Sequence, residues 1–154
     1  MRSVGDIHCT MFKEAALVVS VKEFDFEDLS KYSPIINDLK NLDRGMRDAE
    51  NDDVIMGMLL GLEAPAVENI EAVFNGLGHN WKSRKKLESS EFFKIHRAVE
   101  EEHVRLTVSN FLRFCKTDKS KKDFIKGFHF CLDFWKDFWR HVTDLCNELD
   151  TEEA

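Results

Sequence analysis

The sequence predicts an all-α fold: a single-domain bundle of five to seven helices, with a long aromatic-rich C-terminal helix at its centre. Three observations carry that expectation. The 154 residues include only two prolines and seven glycines, too few turn formers for a β fold of this length. Residues 35–49 place Ile35, Leu39, Leu42, Met46 and Ala49 at steps of 4, 3, 4 and 3, the spacing of one helix face. Residues 125–149 repeat the pattern over a longer stretch, through Ile125, Phe128, Leu132, Trp135, Trp139, Val142, Cys146 and Leu149. Apolar residues make up 43% of the chain and can fill a core, while 33% charged residues argue against disorder.

A first helix is expected over residues 6–22, with Ile7, Phe12, Ala15, Ala16, Val18 and Val19 on a loose buried face. Phe24-Asp25-Phe26 breaks it, and a short helical turn over 27–31 follows. Ser33-Pro34 opens the next helix: serine can cap its first amides, and proline suits the first turn because it has no amide to satisfy. Gly45 weakens that helix by roughly 1 kcal/mol relative to alanine. Asn51-Asp52-Asp53 ends it and can cap a short apolar helix over 54–62. Pro65 restarts the chain for a helix carrying Val67, Ile70, Val73, Phe74 and Leu77, stopped by Gly76-Leu77-Gly78.

Residues 79–88 are basic and read as loop or short helix. Ser89-Ser90-Glu91 begins a long helix to about Cys115. Lys116 to Lys122 forms a polar connector, and Ser120-x-x-Asp123 resembles a capping box for the last helix, 121–149. Phe124, Cys131, Phe134, Phe138 and Leu145 lie beside the seam of that helix. Its apolar residues therefore cover about half the circumference, more than one neighbouring helix needs. The domain is expected to span 1–149, with an acidic frayed tail over 150–154.

The net charge of −7 is uneven, with −8 in residues 1–77 and +1 in 78–154. An acidic chain is a poor nucleic-acid binder, because phosphate affinity comes from neutralising charge. Lys82, Arg84, Lys85 and Lys86 form one basic cluster. Lys116, Lys119, Lys121, Lys122 and Lys126 form another, a candidate partner-binding determinant; both clusters otherwise read as solvated loops and helix ends. The four cysteines, Cys9, Cys115, Cys131 and Cys146, are not in metal-site spacing. Cys131 and Cys146 fall on an apolar face, where a free thiol acts as a small hydrophobe. Without a signal peptide or an apolar run long enough to span a bilayer, a cytoplasmic chain with reduced thiols is expected.

No nucleophile elbow, glycine-rich phosphate loop or zinc-protease motif occurs, so no catalytic residue is assigned. His96, Glu100 and His103 fall at i, i+4 and i+7, where one helix face can present all three to a metal. Glu100-x-x-His103 is also half of the pattern in dimetal carboxylate bundles, but a second copy is missing. Glu100-Glu101-Glu102 reads otherwise as a solvated face beside Arg97 and Arg105. Phe128, Phe134, Trp135, Phe138 and Trp139 could line a haem or lipid pocket, with His129 or His141 as axial ligand. Helical aromatic stripes more often form core, and no cofactor is assigned.

Three stretches together resemble the C-terminal, post-lasso part of formin homology 2 domains. Val21-Lys22-Glu23-Phe24-Asp25-Phe26-Glu27-Asp28-Leu29 resembles the step from one helix into the next. Ile36-Asn37-Asp38-Leu39-Lys40-Asn41-Leu42-Asp43-Arg44 resembles the amphipathic helix that follows. Asn110-Phe111-Leu112-Arg113-Phe114, the lysine connector and the helix from Phe124 to Trp139 resemble the closing pair. The resemblance does not cover residues 54–90. The lasso, post and knob of those domains have no counterpart, so no actin-contacting residue is carried over.

The lack of a catalytic motif leads to the expectation of a non-enzymatic helical module that binds a protein partner such as a helix, with self-association open to it; the resemblance implies a cytoskeletal setting and actin as that partner. A small-ligand, haem or metal-binding helical domain is the alternative. A pathogen-encoded mimic of a host interaction domain is a third reading.

Overall fold

A computed structural model describes residues 32–78 and 81–152, together with Met11, Glu14 and Ala15. Among the described residues all regular structure is helical. In chain order the helices are α1 (Ser33–Arg47), α2 (Asp52–Glu63), α3 (Ala66–Leu77), α4 (Trp81–Ser89), α5 (Glu91–Phe114) and α6 (Asp118–Glu152). None is long and apolar enough to cross a membrane. Of the expected helix over 6–22 only Met11, Glu14 and Ala15 are described, and these are helical; the turn over 27–31 lies outside the described residues.

Contacts group the chain into two compact units. One holds Ala15 and Glu63–Arg105; the other holds residues 32–62 and 106–152. In the first unit, Phe74 and Phe93 meet edge-on at 5.2 Å, packed with Ala15 and Leu87. The guanidinium groups of Arg84 and Arg97 lie 4.9 and 4.5 Å from the centre of the Phe74 ring. Arg97 is also tied to Glu71 of α3 at 2.5 Å. Both cations face the ring's electron-rich π system. The basic segment read as loop or short helix is helical, as α4, because Ser83 and Leu87 bury one side of it.

In the second unit α1 and α2 pack on α6. Val54, Met58 and Cys131 form its buried centre, flanked by Leu42, Met46, Ala49 and Leu62. Glycines bring α2 and α6 unusually close. A Cβ on Gly57 would overlap the carbonyl oxygen of Phe124, and one on Gly127 would overlap that of Val54. One turn along, a Cβ on Gly61 would sit 2.7 Å from the Cys131 Cβ and 2.8 Å from the Phe128 oxygen. Mid-helix glycine costs up to about 1 kcal/mol. Here it lets two backbones touch, as in small-xxx-small helix pairs.

Helix ends follow the expected chemistry in part. Asn51 Oδ1 accepts from the amides of Asp53 and Val54 at 3.0 and 3.1 Å, so Asn51 caps α2. Its Nδ2 donates to Asp123 of α6 at 3.0 Å. Ser33 is already helical; Tyr32 precedes it without a side-chain cap, and proline occupies the first turn. α3 stops at Leu77, yet Gly78 has φ −88°, so no left-handed turn is used.

α6 begins three residues before the expected start. Its cap is Thr117, whose Oγ1 accepts from the Ser120 amide at 3.0 Å. Asp123 is not the closing member of a box, because its carboxylate is held by Asn51 and Lys119. At the other end the helix continues through Glu152, into the stretch expected to fray.

Candidate functional site

The two ends of the His96–Glu100–His103 constellation separate. His96 turns back on its own helix, its Nδ1 2.7 Å from the Phe92 oxygen and its ring 4.2 Å from the Phe92 ring. Glu100 and His103 stay together and are joined by Glu63, at the C-terminal end of α2. One donor atom from each of the three lies within 4.8 Å of the others. His103 Nδ1 is 3.5 Å from Glu63 Oε2 and 3.6 Å from Glu100 Oε2. Glu100 is only 6% exposed, whereas its neighbours Glu101 and Glu102 face solvent. The triple-glutamate run is therefore not one solvated face.

Electrostatics at this cluster follow from the geometry. Burial, and then the adjacent Glu100 carboxylate, push the Glu63 carboxyl above its ordinary range; His103 opposes them. Two carboxylates so close favour a shared proton or a cation between them. The same set, two carboxylates and one imidazole, is also a donor set suited to zinc or manganese.

Glu63 is the member that sequence reasoning missed. Its one sequence sign is an acid in the last turn of α2, a turn without basic residues, where the helix dipole disfavours negative charge.

The aromatic residues of α6 pack against one another. Trp135 stacks on Trp139 at 6.4 Å, and Phe138 meets both rings edge-on. Trp135 Nε1 donates to the Gly61 oxygen at 3.2 Å, which fixes it against α2. Of the two proposed axial ligands, His141 is held by Asp38, Nδ1 to Oδ2 at 2.6 Å, while His129 is exposed. A cleft of about 160 Å³ beside Phe130 and Phe134 is lined by Asp38, Asp133 and Asp137 as well as Leu42. That volume is below the usual range of ligand pockets.

Neither described thiol is set up as a nucleophile. Burial pushes Cys115 and Cys131 up to about 11, and Cys115 Sγ also donates to Asp53 at 3.3 Å. The side chain of Cys146, like Cys9, lies outside the described residues.

The seam of α6 is divided. Its buried line is Phe124, Gly127, Cys131 and Phe134, one position to the side of the expected one. The close approach at Gly127 causes this, because it aims that face at α2. The expected line is left part-open: Ile125 is 50% exposed and Leu132 37%, with Phe128, Trp135 and Trp139 half-buried between them. Leu112 and Phe114, at the end of α5 in the same unit, are also exposed.

The lysine cluster is partly used up by the chain itself. Lys119 pairs with Asp123, Lys121 with Asp118 and Lys126 with Glu50, and Lys116 Nζ donates to the Leu112 oxygen at 2.5 Å. Lys122 is exposed.

No protein family, curated protein or solved structure matches this chain.

Proposed function

We propose that this chain is a non-enzymatic helical interaction module, and that it docks a helical partner along α6. The half-exposed heptad line Ile125–Phe128–Leu132–Trp135–Trp139 carries the reading. A line of large apolar side chains at coiled-coil spacing is the surface a second helix covers. Exposed apolar surface of this kind, beside a face already packed, marks interaction sites more often than chance exposure does.

The formin-like order of its segments makes filamentous actin one partner to test, beside isolated amphipathic helices. Co-sedimentation with actin filaments at moderate salt, and anisotropy of labelled helical peptides, measure the two. Leu132→Lys is expected to weaken whichever binds while leaving the helical circular dichroism unchanged. The reading fails if neither filament nor peptide binds the wild-type chain.

A second reading is favoured by the convergence of Glu63, Glu100 and His103. These would hold a divalent cation through two carboxylates and one imidazole, with solvent completing the shell on the exposed His103 side. Equilibrium dialysis against zinc and manganese tests it. One equivalent retained by the wild type and lost in Glu100→Gln supports it, and substoichiometric metal in the wild type rejects it.

A further inference from the structure

We infer that the helix received by the α6 seam is acidic and belongs to a different protein. This rests on reading the seam as a docking face. The seam residues Ile125, Phe128, Leu132, Trp135 and Trp139 have different neighbours on their two sides. On one side lie Phe124 and Cys131, both buried, and Phe138, half-buried against Phe134, Trp135 and Trp139. On the other lie Lys122, His129 and Lys136, seven residues apart and all exposed. In a helix pair these last positions flank the apolar contact and meet the flanking residues of the partner.

The contrast with the neighbouring lysines gives the argument its weight. Lys119, Lys121 and Lys126 are each neutralised by a carboxylate of this chain. Among the described residues, Lys122, His129 and Lys136 form no ion pair. The outward flank of the seam therefore carries two uncommitted cations, Lys122 and Lys136, on a protein whose net charge is −7. Positive flanks select negative partners through attraction and through rejection of like charge.

The same geometry disfavours a second copy of this chain. Antiparallel pairing through the seam would set Lys122 against Lys136 of the other copy at both ends. Parallel pairing would need Phe124, Cys131 and Phe138 as the opposing flank, and the first two are buried in this chain's own core. The half-exposed line from Ile125 to Trp139 corresponds to about 21 Å of helix, so a partner of about four turns covers it.

The test uses the full chain and three labelled peptides of three heptads, with leucine at the seam positions. Their flanking positions carry glutamate, glutamine or lysine. Fluorescence anisotropy is read at low and high salt. The glutamate peptide is expected to bind about tenfold more tightly than the glutamine peptide, with the gap closing as salt rises. The lysine peptide is expected to bind most weakly.

The double variant Lys122→Glu/Lys136→Glu, at exposed positions, should reverse the order of the glutamate and lysine peptides. Equal binding of all three peptides, lost in Leu132→Lys, would overturn the charge inference and leave the docking face standing. Absence of all binding would overturn both. A dimer in sedimentation equilibrium that the glutamate peptide dissociates would overturn the claim of a foreign partner.

Discussion

Gly127 of α6 rests against the backbone of Val54 in α2 so closely that a Cβ there would overlap the Val54 carbonyl oxygen and come within 2.9 Å of the Met58 nitrogen. Neither obstacle is a flexible side chain. Gly127→Ala is therefore expected to destabilise the fold by about 2 kcal/mol, although alanine is the better helix former. Gly76 is the control, since a Cβ there meets nothing within 4 Å. Gly76→Ala should gain roughly 0.5–1 kcal/mol. Urea unfolding of the two variants, with opposite shifts in midpoint, checks the pair.

Asn51 holds the start of α2 and, through its amide, Asp123 of α6. Asn51→Ala removes the cap and leaves the Asp123 carboxylate with Lys119 alone. A loss of about 1 kcal/mol or somewhat more is expected in chemical unfolding. Asn51→Asp should retain the cap yet place a second carboxylate beside Asp123, so it recovers only part of the loss.

The Glu63 carboxyl binds its proton more tightly in the folded chain than at its ordinary value of 4.5. For a raised carboxyl the folded state holds more protons than the unfolded one. Stability from this group is therefore present at low pH and falls as pH rises from about 4.5 through the raised value. Glu63→Gln should flatten the melting temperature across that window and raise it at neutral pH. A lowered neutral-pH melting temperature would mean that the charge is compensated by His103 more fully than the geometry indicates.

Cys131 is fully buried and, like Cys115, has its thiol pushed up to about 11. Thiolate is the reactive form, so neither should react with iodoacetamide at pH 8 in the folded protein. Peptide mapping after native labelling is expected to find both unmodified, and both labelled once urea is added. Modification of Cys131 without denaturant would show that α6 separates from α2 far more readily than the glycine contacts suggest.

Helix positions were largely legible because apolar spacing is local. The second seam shows where that ended. Periodicity indicated an apolar arc on α6 but not which half faced inward. Gly127 decided it, together with Gly57 and Gly61, whereas only Gly45 had been weighed, and that for its cost to a helix. Thr117 and Ser120 are equally good caps on paper, and Thr117 prevails because α6 begins earlier. At the candidate metal site, Glu100 and His103 were visible from spacing on one helix. Glu63 lies on another helix, and only tertiary packing brings it in.

The contact between α2 and α6 also sets what substitutions this fold can absorb. Where helices meet through side chains, a larger residue on one can be answered by a smaller one on the other. The peptide oxygens of Phe124, Val54 and Phe128 cannot be made smaller, so no second-site change rescues a side chain at 57, 61 or 127. In a randomised library selected for folding, those three positions should stay fixed while the surrounding apolar residues drift. They would then serve as the fingerprint by which diverged descendants of this chain are recognised.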